Sequence, residues 1–147
     1  MTIDQLLATI DLLCTREFPT RHGGSDVGFG GPGFHVAELE VSVGLATGDG
    51  AERERTAEDF DAWKEALALR LDGRWGQGQR RGLLTVGVRI ARGEEIPEPW
   101  ATLSDLVDEV YLWQANGTNR WVALGVAERD ATDEIRLLAA VTDRDPP

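Results

Sequence analysis

The last third of the chain restricts the fold most. Three apolar runs, EVYLWQ (109–114), RWVALGVA (120–127) and EIRLLAAVT (134–142), are separated only by short polar breaks. Runs of this length, rich in β-branched and aromatic residues, form strands. Asn116-Gly117 between the first two is a hairpin signal, because a tight primed turn needs residues that tolerate positive φ. RDATD (129–133) turns the chain again, so the segment predicts a three-stranded antiparallel meander. A two-residue turn pairs 115 with 118 and makes Trp113 and Trp121 near diagonal neighbours on opposite faces, one in the core and one exposed.

A small sheet needs another layer to bury its apolar face, and the preceding residues supply helices. Ile3, Leu6, Leu7, Ile10, Leu13 and Cys14 fall on one stripe of a first helix, which Thr2 and Gln5 open as a capping box. Its heptad-like spacing is compatible with a homodimer contact, though packing within the chain is the expected use. Ala37, Leu39, Val41, Val43 and Leu45 alternate with Glu38, Glu40 and Ser42, the pattern of a half-buried strand. A second helix is expected from Thr56, with Asp59 in its capping box, Phe60, Trp63, Leu67 and Leu71 inward, and Gly73 at its end.

RWGQGQRRG (74–82) reads as a basic loop. LLTVGVRIA (83–91) reads as a strand, because Leu84, Val86, Val88 and Ile90 alternate. Pro97 and Pro99 interrupt pairing, and Thr102 with Asp105 caps a short turn. The expected fold is therefore α+β: helices packed on one face of a mostly antiparallel five-stranded sheet that ends in the meander. One domain covers 1–147, with a glycine-rich connector at 22–33 and a frayed tail at 143–147.

The connector, HGGSDVGFGGPG, contains G-x-G-x-x-G at Gly28, Gly30 and Gly33. In a dinucleotide fold such glycines follow a strand and open a helix, so that the pyrophosphate meets the helix N-terminus. Here they follow a helix end, precede a strand and contain Pro32. No Gly-Lys-Ser/Thr loop follows, and the one lysine, Lys64, lies in a helical stretch. The glycines read as a mobile connector. Ser25 nearly matches a G-x-S-x-G elbow, but the second glycine falls one place late and no strand leads in. Ser25 and Asp26 read instead as a local polar turn.

Charge narrows the function classes. Twenty-six acids against 15 bases give a formal net charge of −11, a field that disfavours phosphate backbones and anionic membranes and favours a basic protein partner. Arg70, Arg74, Arg80 and Arg81 cluster around Trp75, but in so acidic a chain they read as charges offsetting nearby acids. Cys14 is the only cysteine, so an internal disulfide is impossible. The N-terminus lacks a basic leader, and no run is long and apolar enough for a membrane span. A cytoplasmic location is expected, and the preference for Arg, Ala and Gly suggests a high-GC bacterial source. No cofactor is implied.

His22 and His35 flank the glycine stretch and are the only histidines. With Asp26 they are the candidate catalytic residues of a small-molecule-binding or hydrolytic domain, with Arg89 and Arg92 as further candidates. The favoured expectation is a binding protein. It is an accessory or immunity-type domain that neutralises a basic target, steered by acids such as Glu38 and Glu40 and anchored by Trp75, Trp113 and Trp121.

Overall fold

The computed structural model describes residues 2–147, with every side chain among them except that of Ala46. The order is α1 (Ile3–Thr15), β1 (Gly23–Gly24), β2 (Gly28–Gly31), β3 (Phe34–Val41), a single 3-10 turn (Leu45–Thr47), α2 (Gly50–Trp75), β4 (Gln79–Gly82), α3 (Leu84–Ala91), α4 (Trp100–Leu106), β5 (Glu109–Gln114), β6 (Trp121–Ala127) and β7 (Arg136–Thr142). The strands form one seven-stranded antiparallel sheet in the order β1-β2-β3-β7-β6-β5-β4. After β3 the chain crosses through α2 to the far edge, and the meander then returns to pair β7 with β3.

The α+β class is as expected, but the helices do not lie on one face. The inward stripe of α1 packs with Phe60, Leu67 and Leu71 of α2 against Trp113, Val122, Leu137 and Ala139. On the opposite face Val86 of α3 and Trp100 and Leu103 of α4 pack on Leu112, Ala123, Leu138 and Ala140. Central strand β7 is apolar without alternation, and Leu137 to Val141 are all buried. Both of its faces therefore need cover.

Three differences account for seven strands among the described residues instead of five. The glycine stretch supplies β1 and β2, and QRRG within the basic loop supplies β4. LLTVGVRIA contributes none, since it is α3. In an apolar run of this length alternation and helical spacing overlap. Leu83, Val86 and Ile90 face inward at helical intervals, whereas Leu84 and Val88 are 62% and 49% exposed.

Helix α1 opens as expected: Gln5 N–H donates to Thr2 Oγ1 and Thr2 N–H to Gln5 Oε1. Helix α2 begins earlier, where Asp49 Oδ1 accepts from Glu52 N–H at 2.7 Å. The Arg53 guanidinium holds this first turn by donating to the carbonyls of Glu128, Asp130 and Asp133. The helix runs through Gly73 and stops at Gly76, which adopts φ +86.

The Asn116-Gly117 hairpin forms with a longer loop. Ala115 N–H donates to Arg120 C=O, and Trp113 stands opposite Val122. The tail is also tied down: Trp100 Nε1 donates to Arg144 C=O, Arg144 to Glu98 C=O, Trp121 Nε1 to Asp145, and Arg81 to Pro147 C=O. Residues 143–147 thus carry contacts to three other parts of the fold.

Candidate functional site

The glycine stretch is built for close strand packing. A Cβ at Gly28 would penetrate the Val36 carbonyl oxygen, and one at Gly30 would stand 3.0 Å from Phe34 O and 3.2 Å from Pro19 Cγ. Pro32-Gly33 closes the β2–β3 hairpin, with Gly33 at φ +84, as a turn of the Pro-Gly type requires. Ser25 Oγ accepts from Val27 and Gly28 N–H at 3.4 and 3.2 Å, the local polar turn expected. Part of the segment is thus paired backbone at the sheet edge, in β1 and β2, where a connector without strands was expected.

The same glycines separate the histidines. Side chains of successive strand residues point to opposite faces. Gly30 faces Nδ1 of His35, and Gly31 faces Nδ1 of His22. His35 is 2% exposed and packs at a tilt against Phe18, whereas His22 is exposed and packs at a tilt against Phe34. Asp26 joins neither: its carboxylate takes two hydrogen bonds from Arg16, at 2.7 and 3.2 Å. This pairing holds the Asp26 carboxyl below the usual range. The two imidazoles therefore do not form one site.

Neither ring nitrogen of His35 has a hydrogen-bond partner among the described residues. Burial holds its pKa below the ordinary histidine value, opposed by the nearby backbone of Arg16 and Glu17 and reinforced by the charges of Arg120 and Arg16. Arg120 lies over the Phe18 ring and donates at 2.7 Å to the carbonyls of Leu13 and Arg16. It thereby pins the end of α1 above His35.

The charged residues concentrate at one end of the sheet, where β5 and β7 begin and β3 and β6 end. Two adjoining hollows share Leu106 and Arg129 there. Asp105, Asp130, Asp133 and Glu134 line the first beside Arg129 and Arg136, in a volume of about 270 Å³. Asp61, Asp108, Glu109 and Glu128 line the second beside Lys64 and Arg129.

The bases at this end are engaged within the chain. Arg129 pairs with Asp108 and donates to the carbonyls of Ser104 and Asp105. Arg136 lies 3.5 Å from both Glu38 and Asp133, and Lys64 lies 2.9 Å from Asp61. Glu134 accepts from Ser42 Oγ and Leu45 N–H, and Thr132 holds the Asp130 carboxyl below the usual range by donating its hydroxyl and N–H. Among the described residues the carboxylates of Asp105 and Glu128 have no partner. Glu38 and Glu40, on the last residues of β3, belong to this same end.

The tryptophans lie elsewhere. Trp113 is 3% exposed, packs with the α1–α2 layer and donates its Nε1 to Asp72 at 2.9 Å. Trp121 packs on the other face and is half-buried. Opposite faces are as expected, but the single patch of tryptophan and acid is not formed. Trp75, Trp113 and Trp121 converge on a hollow at the hairpin end, which shares no lining residue with the two acidic hollows, and the acids that accept from their indoles are Asp72 and Asp145.

Sequence reasoning missed the acidic end because Asp61, Asp105, Glu109 and Glu128 come from separate elements, and only strand order and direction bring them together. It also grouped four arginines that the structure disperses. Arg70 pairs with Asp4, Arg74 with Asp11 and Arg80 with Glu109, while Arg81 donates to Pro147 C=O. Arg89 pairs with Glu94 at 2.6 Å, which holds that carboxyl below the usual range, and Arg92 is an exposed residue at the end of α3. Cys14 is buried on the α1 stripe, and burial pushes its thiol up to about 11, so it is a core residue.

Among the described residues no helix is long and apolar enough to cross a membrane, and no group of three or more His, Cys, Asp or Glu is placed to hold a metal ion. Compared with known proteins, the chain matches no family model, no curated protein and no solved structure.

Proposed function

We propose that the chain is an acidic protein-binding domain of the accessory type, and that it engages a basic partner through the acidic end of its sheet. The observation that carries this reading is the pair of adjoining hollows sharing Leu106 and Arg129, whose bases are already committed within the chain. Carboxylates carried by several packed elements hold a negative surface in place, which speeds encounter and fixes the orientation of a basic partner. The net charge of −11 acts in the same direction over longer range. Trp75, Trp113 and Trp121 take no part in this surface.

The test removes charge without removing volume. Asp105 and Glu128 are exposed and without side-chain partners, so Asp105→Asn with Glu128→Gln leaves the fold intact. Native and doubly substituted chains are used as baits in extracts of the source organism, and recovered proteins are quantified by mass spectrometry. A basic protein enriched by the native chain and lost from the double variant, with affinity for the purified protein that falls with salt, is the expected outcome. Recovery of the same proteins by both baits refutes the reading.

A further inference from the structure

We propose that the hollow at the hairpin end of the sheet binds a neutral saccharide of mono- to disaccharide size. It is open, with a volume of about 300 Å³, and Trp75, Trp113 and Trp121 all contribute to its wall. No charged side chain lines it, although the chain carries a net charge of −11. The two carboxylates bonded to its indoles, Asp72 and Asp145, are already engaged within the chain, and an anion would find no cation in the wall.

The polar groups of the wall are side-chain amides. Gln77, Gln79 and Gln114 line it with Asn116, and no other described residue bonds the amides of the three glutamines. Each primary amide offers two donors and an acceptor. Sugar hydroxyls, each a donor and an acceptor, are the natural complement of such groups. A phosphate or carboxylate would use the donors and leave the acceptors facing like charge.

The aromatic groups complete the match. Indole N–H groups usually seek a partner when buried. Here Nε1 of Trp113 is taken by Asp72 at 2.9 Å and Nε1 of Trp121 by Asp145 at 3.2 Å. The rings are thereby oriented; Trp113 is 3% exposed and backs the wall, so the π surface a ligand meets is that of the half-buried Trp75 and Trp121. The C–H face of a pyranose stacks on such a surface.

The wall is also preorganised. Gln79 stands opposite Leu112 across β4 and β5, and Gln114 stands opposite Trp121 across β5 and β6. Leu112 and Gln114 are two apart on one strand, so these four residues share one face. Two amides are thus held beside an apolar strip by strand pairing, which limits the order lost on binding.

The test uses the native chain and a panel of glucose, galactose, N-acetylglucosamine, maltose and cellobiose. Tryptophan fluorescence and the glutamine side-chain amide signals in NMR are followed during titration. Saturable change with at least one sugar is expected, weakened about tenfold or more in the Gln79→Ala/Gln114→Ala variant, the scale of one lost hydrogen bond or more. Both positions are exposed, and an unchanged melting temperature identifies a folded variant. Gln77→Ala, in the loop before β4, serves as a second probe. No saturable response to any sugar overturns the assignment, as does a response unchanged in all these variants. Saturation by adenosine or an uncharged tetrapeptide, with none by the sugars, overturns the ligand class.

Discussion

Replacing His35 with leucine removes a pH dependence that the native chain must carry. His35 is 2% exposed and its ring nitrogens have no hydrogen-bond partner among the described residues. In the folded chain burial holds its pKa below the ordinary 6.5. Protons therefore bind the unfolded chain more readily than the folded one. The stability of the native chain is complete with respect to this group above the unfolded value and declines as pH falls through it toward the depressed folded value. The slope cannot exceed about 1.4 kcal/mol per pH unit. Between about pH 8 and pH 5 the accumulated loss is at most about 2 kcal/mol.

Urea unfolding of native chain and His35→Leu across that range measures the effect. The carboxylates titrate in both chains, and Asp26, held low by Arg16, stays ionised throughout. The difference between the chains isolates His35. Near pH 8 leucine removes an unsatisfied buried donor but fits the contact with Phe18 less well, so the two chains lie within about 1 kcal/mol of each other. By pH 5 the balance has moved toward the variant, by up to about 2 kcal/mol relative to pH 8. A difference that stays constant with pH refutes the argument, because it means the folded chain accepts the proton as easily as the unfolded one.

Gly28→Ala drives a Cβ into the Val36 carbonyl, whereas Gly24→Ala meets nothing nearer than Gly28 O at 3.9 Å. Urea midpoints should fall for the first by the equivalent of about 2–4 kcal/mol and stay within about 0.5 kcal/mol for the second. Cys14, buried and with its thiol near 11, should resist iodoacetamide at neutral pH in the native state and react at once in urea, as mass spectrometry would record.

Local chemistry was legible where a short stretch of chain satisfies itself. The Thr2–Gln5 capping box, the inward stripe of α1, the Ser25 turn and the three strands of the meander all depend on residues within a few positions of one another. LLTVGVRIA was not legible, since its alternation and its helical spacing are both present. The neighbouring layer chose between them, because Leu83, Val86 and Ile90 cover the sheet face at helical intervals. The glycine stretch is ambiguous for a related reason. Glycine signals permission for an unusual backbone, and whether that permission serves a ligand, a flexible link or close strand contact depends on what packs against it.

The candidate sites divide in the same way. Composition predicted an acidic surface, and Trp75, Trp113 and Trp121 stood out along the chain, but neither showed that these tryptophans would line one hollow and the acids around Arg129 another. By itself the sequence determined the class of fold, the core stripes of α1 and the meander, and the sign of the surface field. These follow from periodicity and charge, which are properties of neighbours along the chain. The tertiary structure alone decided that helices cover both faces of the sheet, that His22 and His35 lie on opposite sides of it, and that three glutamines meet three tryptophans. Those outcomes depend on strand order and register, where a shift of one residue turns every side chain to the other face.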